Sequence, residues 1–527
     1  MLVITLLYSV LFAWCKLLSR IPGMHFLYGV GNDAQPSSES DEIYPVHFID
    51  QAAIVRSSLI SYSFRYDHVL DAHKLRDSLV MLLTSGDWRK LAGRLRQNRE
   101  GKLEIHVPRH FCCHRPPIRF SHVEFGMDIA AHPLASRLHK KTGNKPSVHE
   151  GCHVFREFSI QSTLPNNIKH YLSTDEPLIC LHINSFTDAT LVSIILPHSL
   201  SDAMGTADLL QAWAHVIRNQ NVESLGIQFG GAREDIAASV GAANDKTAHD
   251  TKFVLEDQQT KGLSLLVFMA RYALDVLTHR NIETHHIYLP ASFLSYLRRQ
   301  AEEESRHNSQ DETKSAPFMS DGDLITAWGS RMVLSSSSRK GSAVICNVFD
   351  MRKRLGHLQS SSPSRATAYL QNLILPSTTL LTAEEAKSLS VSQIALRVRK
   401  AIVEQTSEAQ VRSLMRIARS WFAKLGTMPL FASWDTTRVI ACTNWSKARF
   451  LDRADFGHAA VAAGGKTGVR KVRPVAFWGT TLAVNDNPRD TFVIYGKDHD
   501  GDYWVHAYLR KETWDLIRKE LDQFAVK

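Results

Sequence analysis

Apolar positions along the chain repeat with two periods, and the clearest case puts them side by side. Residues 191–196, LVSIIL, form a short apolar run with Val and Ile in it, the pattern of a strand buried on both faces. Pro197 ends that run. Beyond it Ala203, Ala207, Leu210, Ala214 and Ile217 are spaced four, three, four and three, which is the period of a helix with one apolar stripe. Ser199, with Asp202 three residues on, is expected to cap its start. Similar patterns predict helices over residues 71–83, 262–277, 292–301 and 320–333, with two more inside 380–425. Strands are predicted over 102–107, 285–289, 344–351, 439–443 and 475–478, and a hairpin pairs 491–495 with 503–509. Segments 226–249 and 302–314 carry neither period and read as surface loops. Strands alternate with helices in both halves, so the fold class is α/β.

The first 43 residues stand apart. Residues 1–15 hold no charged side chain and are followed by Lys16 and Arg20. As a helix they would rise about 22 Å, short of a hydrocarbon core of about 30 Å. A signal peptide would place positive charge before the apolar run, which this segment does not. Two readings stay open. Residues 1–20 either contact or anchor in a membrane, leaving the body on the cytoplasmic face of the endoplasmic reticulum, or form a helix docked on a soluble cytoplasmic protein. Residues 31–42 are a polar linker, and the expected divisions are 1–43, 44–260 and 261–527.

Composition narrows the function classes. At 527 residues, 44% apolar and 22% charged, the chain is globular and large enough for two cores. Lys plus Arg exceed Asp plus Glu to give a net charge of +9, but no basic stripe with interleaved aromatics appears, so no nucleic acid is expected as partner. The seven Cys are scattered, which fits a reducing compartment rather than a disulfide scaffold. The His110-Phe-Cys-Cys-His114 cluster lacks a second Cys pair at zinc-ribbon spacing, and the acidic turn 497–502 lacks the closing glutamate of a calcium loop. No metal is expected.

The chemistry concentrates at His198. His-x-x-x-Asp is a weak spacing by itself: with 25 His in the chain and aspartate at about one residue in twenty, about one match arises by chance. Three occur, at His73, His198 and His307. Only His198 follows a buried strand, precedes a helix and has Gly205 three residues past the aspartate. A strand-to-helix turn fixes the backbone on both sides while the side chain reaches a cleft. A histidine that merely packs in the turn remains the alternative.

With His198-Ser-Leu-Ser-Asp202 and Asp455-Phe-Gly-His-Ala459 in the same order and at matching separation, the chain resembles the BAHD-type acyl-CoA-dependent acyltransferases, whose signatures are HxxxD and DFGWG. Within them it is similar to the filamentous-fungal branch that includes trichothecene 3-O-acetyltransferase. WRKLAGRL at 88–95, DLITAW at 323–328, FDMR at 349–352, Gln371-Asn372 and Thr443-Asn-Trp445 add to the likeness, which runs from about residue 44 to the C-terminus. His458 and Ala459 replace the Trp and second Gly of DFGWG, and Gln371 stands where the family commonly has Gly. Kinase, P-loop and serine-hydrolase motifs are incomplete or missing.

The resemblance implies two chloramphenicol-acetyltransferase-like α/β domains with mixed sheets and an active site in a channel between them. It implies His198 as general base, direct transfer without an acyl-enzyme, and Asp202 turned away to pair with Arg352 in a structural role. Thr443, Trp445 and Asn372 are the expected substrate or oxyanion groups. Asp455, Phe456 and Gly457, with Lys466 and Arg470, are the expected cofactor-side residues. The co-substrate is acyl-CoA, acetyl-CoA foremost, and the partner a small acceptor alcohol, an apolar secondary metabolite such as a terpenoid; a monomer is expected. N-acylation, a longer acyl chain, and a catalytically silent binding member stay open as alternatives.

Overall fold

The structure, a computed structural model, describes residues 41–161, 167–308, 317–337, 341–358, 366–461, 472–482 and 488–526. Residues 1–20, Lys466 and Arg470 fall outside these, as do the expectations placed on them.

Two mixed sheets organise the chain. The first runs Ala476–Thr481, Leu59–Tyr66, Thr190–Pro197, Cys180–Ser185, Arg119–Glu124, antiparallel except for its last pair. The apolar run at its centre explains the order: all eight residues of Thr190–Pro197 are buried, as an interior strand covered on both faces requires. The second sheet runs Ile374–Leu381, Ala343–Asp350, Arg438–Asn444, Thr491–Lys497, Tyr503–Arg510, Ile282–Leu289, Ser147–Glu150. Within it Arg438–Asn444 pairs in parallel with both its neighbours, Ala343–Asp350 and Thr491–Lys497. Helices Asp321–Ser335 and Val391–Gln405 pack with it around Trp328, Ile345 and Ile494.

Each sheet borrows a strand from the other half of the sequence. Ala476–Thr481 pairs with Leu59–Tyr66, and Ser147–Glu150 pairs with Ile282–Leu289. The boundary drawn at residue 260 therefore does not divide the sheets: backbone hydrogen bonding across it makes each lobe a composite.

Several local expectations change as well. The helix after Pro197 is Ala203–Asn219, and its cap is Asp202 itself, whose carboxylate accepts from the Gly205 N–H at 2.9 Å. Ser199 lies within the preceding turn, its hydroxyl buried without a hydrogen-bond partner among the described residues. The segment 226–249 is not featureless. Ile227–Gly230 pairs in parallel with Ala366–Tyr369, Lys246–Asp250 is helical, and Ala237 and Val240 are buried. The helix expected to stop at residue 301 runs as Ala291–Asn308, taking in part of the expected charged loop, because Glu, Arg and Ala favour helix wherever a solvated face is available. No described helix is long and apolar enough to cross a membrane.

Candidate active site

His198 sits where Thr190–Pro197 leaves the first sheet. Its backbone N–H donates to the Ser58 carbonyl at 2.8 Å, and its carbonyl accepts from Asn372 Nδ2 at 2.7 Å, so the turn is held from two sides. The imidazole Nδ1 lies 3.1 Å from the Ser201 carbonyl oxygen. A carbonyl can only accept, which places the ring proton on Nδ1 and leaves Nε2 with its lone pair. Burial lowers the His198 pKa below the usual imidazole value, against the opposing pull of the Asp202 carboxylate and the Ser201 carbonyl. The side chain is thus neutral at pH 7, as a proton acceptor must be.

Asp202 does not face the imidazole as a dyad partner. Its two oxygens take both arms of the Arg352 guanidinium at 3.0 Å each, and Oδ2 also accepts from the Leu373 N–H at 2.9 Å. Arg352 lies just past Ala343–Asp350 and also donates to Asp350 Oδ1 at 2.9 Å and to the Tyr369 and Gln371 carbonyls. Burial opposes its charge, but the two carboxylates outweigh that and hold its pKa above the ordinary guanidinium value. The forked pair ties the first sheet's turn to the end of a strand in the second, which is the geometry planar guanidinium is suited to.

Asn372 is not an oxyanion donor. It is fully buried, and its Nδ2 donates to Asp50 Oδ1 at 2.6 Å and to the His198 carbonyl. Both amide protons are therefore committed to holding the turn. Asp50, which no sequence motif marks, is the residue behind it: its carboxyl also accepts from the Asn372 backbone N–H at 2.8 Å, and burial pushes its pKa up to about 7.

Thr443 and Trp445 stand at the end of Arg438–Asn444, both half-buried. The Trp445 indole N–H donates to Thr443 Oγ1 at 3.2 Å, so the two act as one unit whose threonine hydroxyl can still donate. The ring stacks on Tyr495 at 5.7 Å and leans against Tyr62 and Phe450. It therefore combines core contact with a polar end. A cavity of about 580 Å³ opens beside it, lined by Phe450, Phe477 and Tyr495 with Arg449, Arg473 and Lys497. Arg449 and Arg473 pair with Asp452, and Lys497 with Asp321.

The Asp455-Phe-Gly457 loop is held in place by packing and hydrogen bonds within the fold. Phe456 is fully buried between Trp213, at 4.3 Å, and Tyr66, at 5.8 Å. Asp455 pairs with Arg218 and accepts from the Gly457 N–H. The acidic turn at 498–502 is occupied by a lysine: Lys141 Nζ bonds Asp498 at 2.8 Å and also pairs with Asp500. Elsewhere, Cys152, His286 and His506 bring three ligand-type atoms within 4.8 Å of one another, a group that sequence spacing could not show because strand register pairs the two histidines and a distant 3-10 turn supplies the cysteine.

A neutral histidine at the turn between two mixed sheets, on a chain with acetyltransferase relatives, marks the class: this is an acyl-CoA-dependent acyltransferase. The chain belongs to the Transferase family, the BAHD-type acyltransferases, whose profile matches residues 154–467. It is 55% identical over 505 residues to the acetyltransferase BOT5 of Botryotinia fuckeliana, covering 92% of this chain and 91% of that one. It is 33% identical to the O-acetyltransferase PaAT-2 of Phomopsis amygdali, covering 93% and 99%. In fold it is similar to TRI101 of F. graminearum, crystallised with coenzyme A and T-2 mycotoxin, with a TM-score of 0.63 at 15% identity over 92% of this chain and 98% of that one. Vinorine synthase shares the fold at a TM-score of 0.53, 14% identity and coverage of 93% and 95%. The two-lobed α/β architecture that the resemblance implied is the one observed.

Proposed function

We propose that this acyltransferase moves an acetyl group from acetyl-CoA to a hydroxyl of an apolar secondary metabolite such as a terpenoid, with His198 as general base. Nε2 takes the hydroxyl proton as the oxygen attacks the thioester carbonyl. The tetrahedral intermediate collapses by breaking the carbon–sulfur bond, and the imidazolium returns its proton to the departing CoA thiolate. No acyl-enzyme forms. The Thr443 hydroxyl donates to the developing oxyanion, a preorganised contact worth about 2.7–4 kcal/mol. The aromatic floor beside Trp445 receives apolar surface, and residues 1–20 add a membrane contact on the cytoplasmic face, where such acceptors partition. The observation that carries the reading is the 3.1 Å contact of His198 Nδ1 with the Ser201 carbonyl oxygen, which favours the tautomer whose Nε2 can accept a proton.

The test is acceptor-dependent thiol release from acetyl-CoA by the full chain, across a panel of hydroxylated terpenoids. His198→Ala is expected to lower the rate by at least about a hundredfold. Release that persists unchanged in the variant, or that occurs with no acceptor tried, overturns the reading.

A further inference from the structure

Helix Gly262–Thr278 has two apolar faces, and among the described residues one is buried and the other exposed. Phe268 and Met269 are buried in the core shared with Met351, Leu414 and Trp421. On the other side Leu263, Leu266, Leu274 and Leu277 are 76%, 49%, 54% and 59% exposed. With Ala270, also exposed, they are spaced three, four, four and three, so they form one stripe along the helix with no charge inside it. Scattered surface leucines need no explanation, but a contiguous stripe on one helix marks a contact surface.

The rim of the stripe identifies the partner. Arg271 at its edge lays its guanidinium over the Trp434 ring at 5.2 Å and donates to the Trp434 carbonyl at 2.9 Å. Trp434 is itself 61% exposed. The charged residues between 261 and 280 are Lys261, Arg271, Asp275 and Arg280. The one acid among them is turned inward, where Asp275 pairs with Arg438, Arg489 and Arg510. Leucines flanked by cations and an exposed indole, with no exposed acid in that stretch, match the layering of an anionic lipid surface: acyl chains, then headgroups. At 17 residues the helix would rise about 26 Å, too short to span, so it would lie in the interface plane.

We propose that this face of Gly262–Thr278 is a membrane-surface contact, with its leucines at the acyl boundary of an anionic phospholipid bilayer and Arg271 and Trp434 at headgroup level. The contact belongs to the folded body and is distinct from any made by residues 1–20. It fixes which side of the enzyme faces the lipid.

Flotation of the full chain on phosphatidylcholine vesicles, with and without phosphatidylserine, tests it. Leu266→Glu combined with Leu274→Glu is expected to weaken vesicle binding by about tenfold or more at an unchanged thermal midpoint. Arg271→Glu is expected to abolish the preference for phosphatidylserine. Leu263→Gln, at the most exposed position, gives a milder loss and serves if the double variant does not fold. Wild-type binding by the leucine variants, together with unchanged hydrogen exchange of Gly262–Thr278 when vesicles are added to the wild type, overturns the proposal. So does a lipid-free dimer of the wild type that the leucine variants convert to monomer, since the stripe would then be covered by a second copy.

Discussion

At the residue scale, the signature histidine and aspartate turn out to have different jobs. His198 carries the proton chemistry of the proposed reaction, while Asp202 fastens the turn to Arg352 across the two sheets. Removing one partner leaves the other charge buried and unpaired, so Arg352→Met is expected to cost about 3–5 kcal/mol of stability. Urea unfolding followed by tryptophan fluorescence would measure it; an unfolding free energy within about 1 kcal/mol of wild type would show the pair to be dispensable. His198 is legible in the sequence because a buried strand and a capped helix bracket it. Asn372 is not, because the direction of its amide is set by Asp50 and His198, 322 and 174 residues away. Asp50 itself carries no local mark: its importance is its burial, which only the folded chain supplies.

At the scale of elements, the loop after Asp455 shows why a degraded motif can leave its contact intact. The loop meets helix Ala72–Leu83 through main-chain atoms: the Ala459 carbonyl accepts from the Asp71 N–H at 2.7 Å, and the His458 carbonyl accepts from Lys74 Nζ at 2.6 Å. A histidine and an alanine can present those carbonyls as well as Trp and Gly would. The side chain that matters is Phe456, sandwiched by Trp213 and Tyr66. Phe456→Ala is expected to cost about 3–5 kcal/mol through the cavity it leaves. The readout is the denaturation midpoint, and Phe456→Leu, which refills most of the space, should lose much less. Long periodic elements are readable from the chain alone. The four-residue strand Ile227–Gly230 is not, since its pairing partner Ala366–Tyr369 is distant in sequence and so short a segment shows no period.

For the whole molecule, buried histidines make stability depend on pH. Burial, reinforced by the Lys90 charge, lowers the His47 pKa to about 4; burial lowers His139 to about 4 and His506 to about 3. These rings are neutral when folded and titrate near 6.5 when unfolded, so the unfolded chain binds the extra protons. Their contribution is fully present above pH about 6.5 and is lost as pH falls toward the folded values; at pH 5 each favours unfolding by about 2 kcal/mol relative to neutral pH. Asp50, its carboxyl raised to about 7 by burial, offsets part of this loss as pH falls, but three rings outweigh one carboxyl, so thermal midpoints measured from pH 8 to pH 5 should fall below pH 6.5, and a flat profile would contradict the burial of these rings. The sequence by itself determined the α/β class, the central strand and its helix, and the histidine between them, because side-chain periodicity and backbone sterics act over a few residues. The tertiary structure decided the exchange of strands between sheets, the partner of Asp202, the role of Asn372 and the exposed leucine face, because each depends on which distant residues end up within a few ångströms.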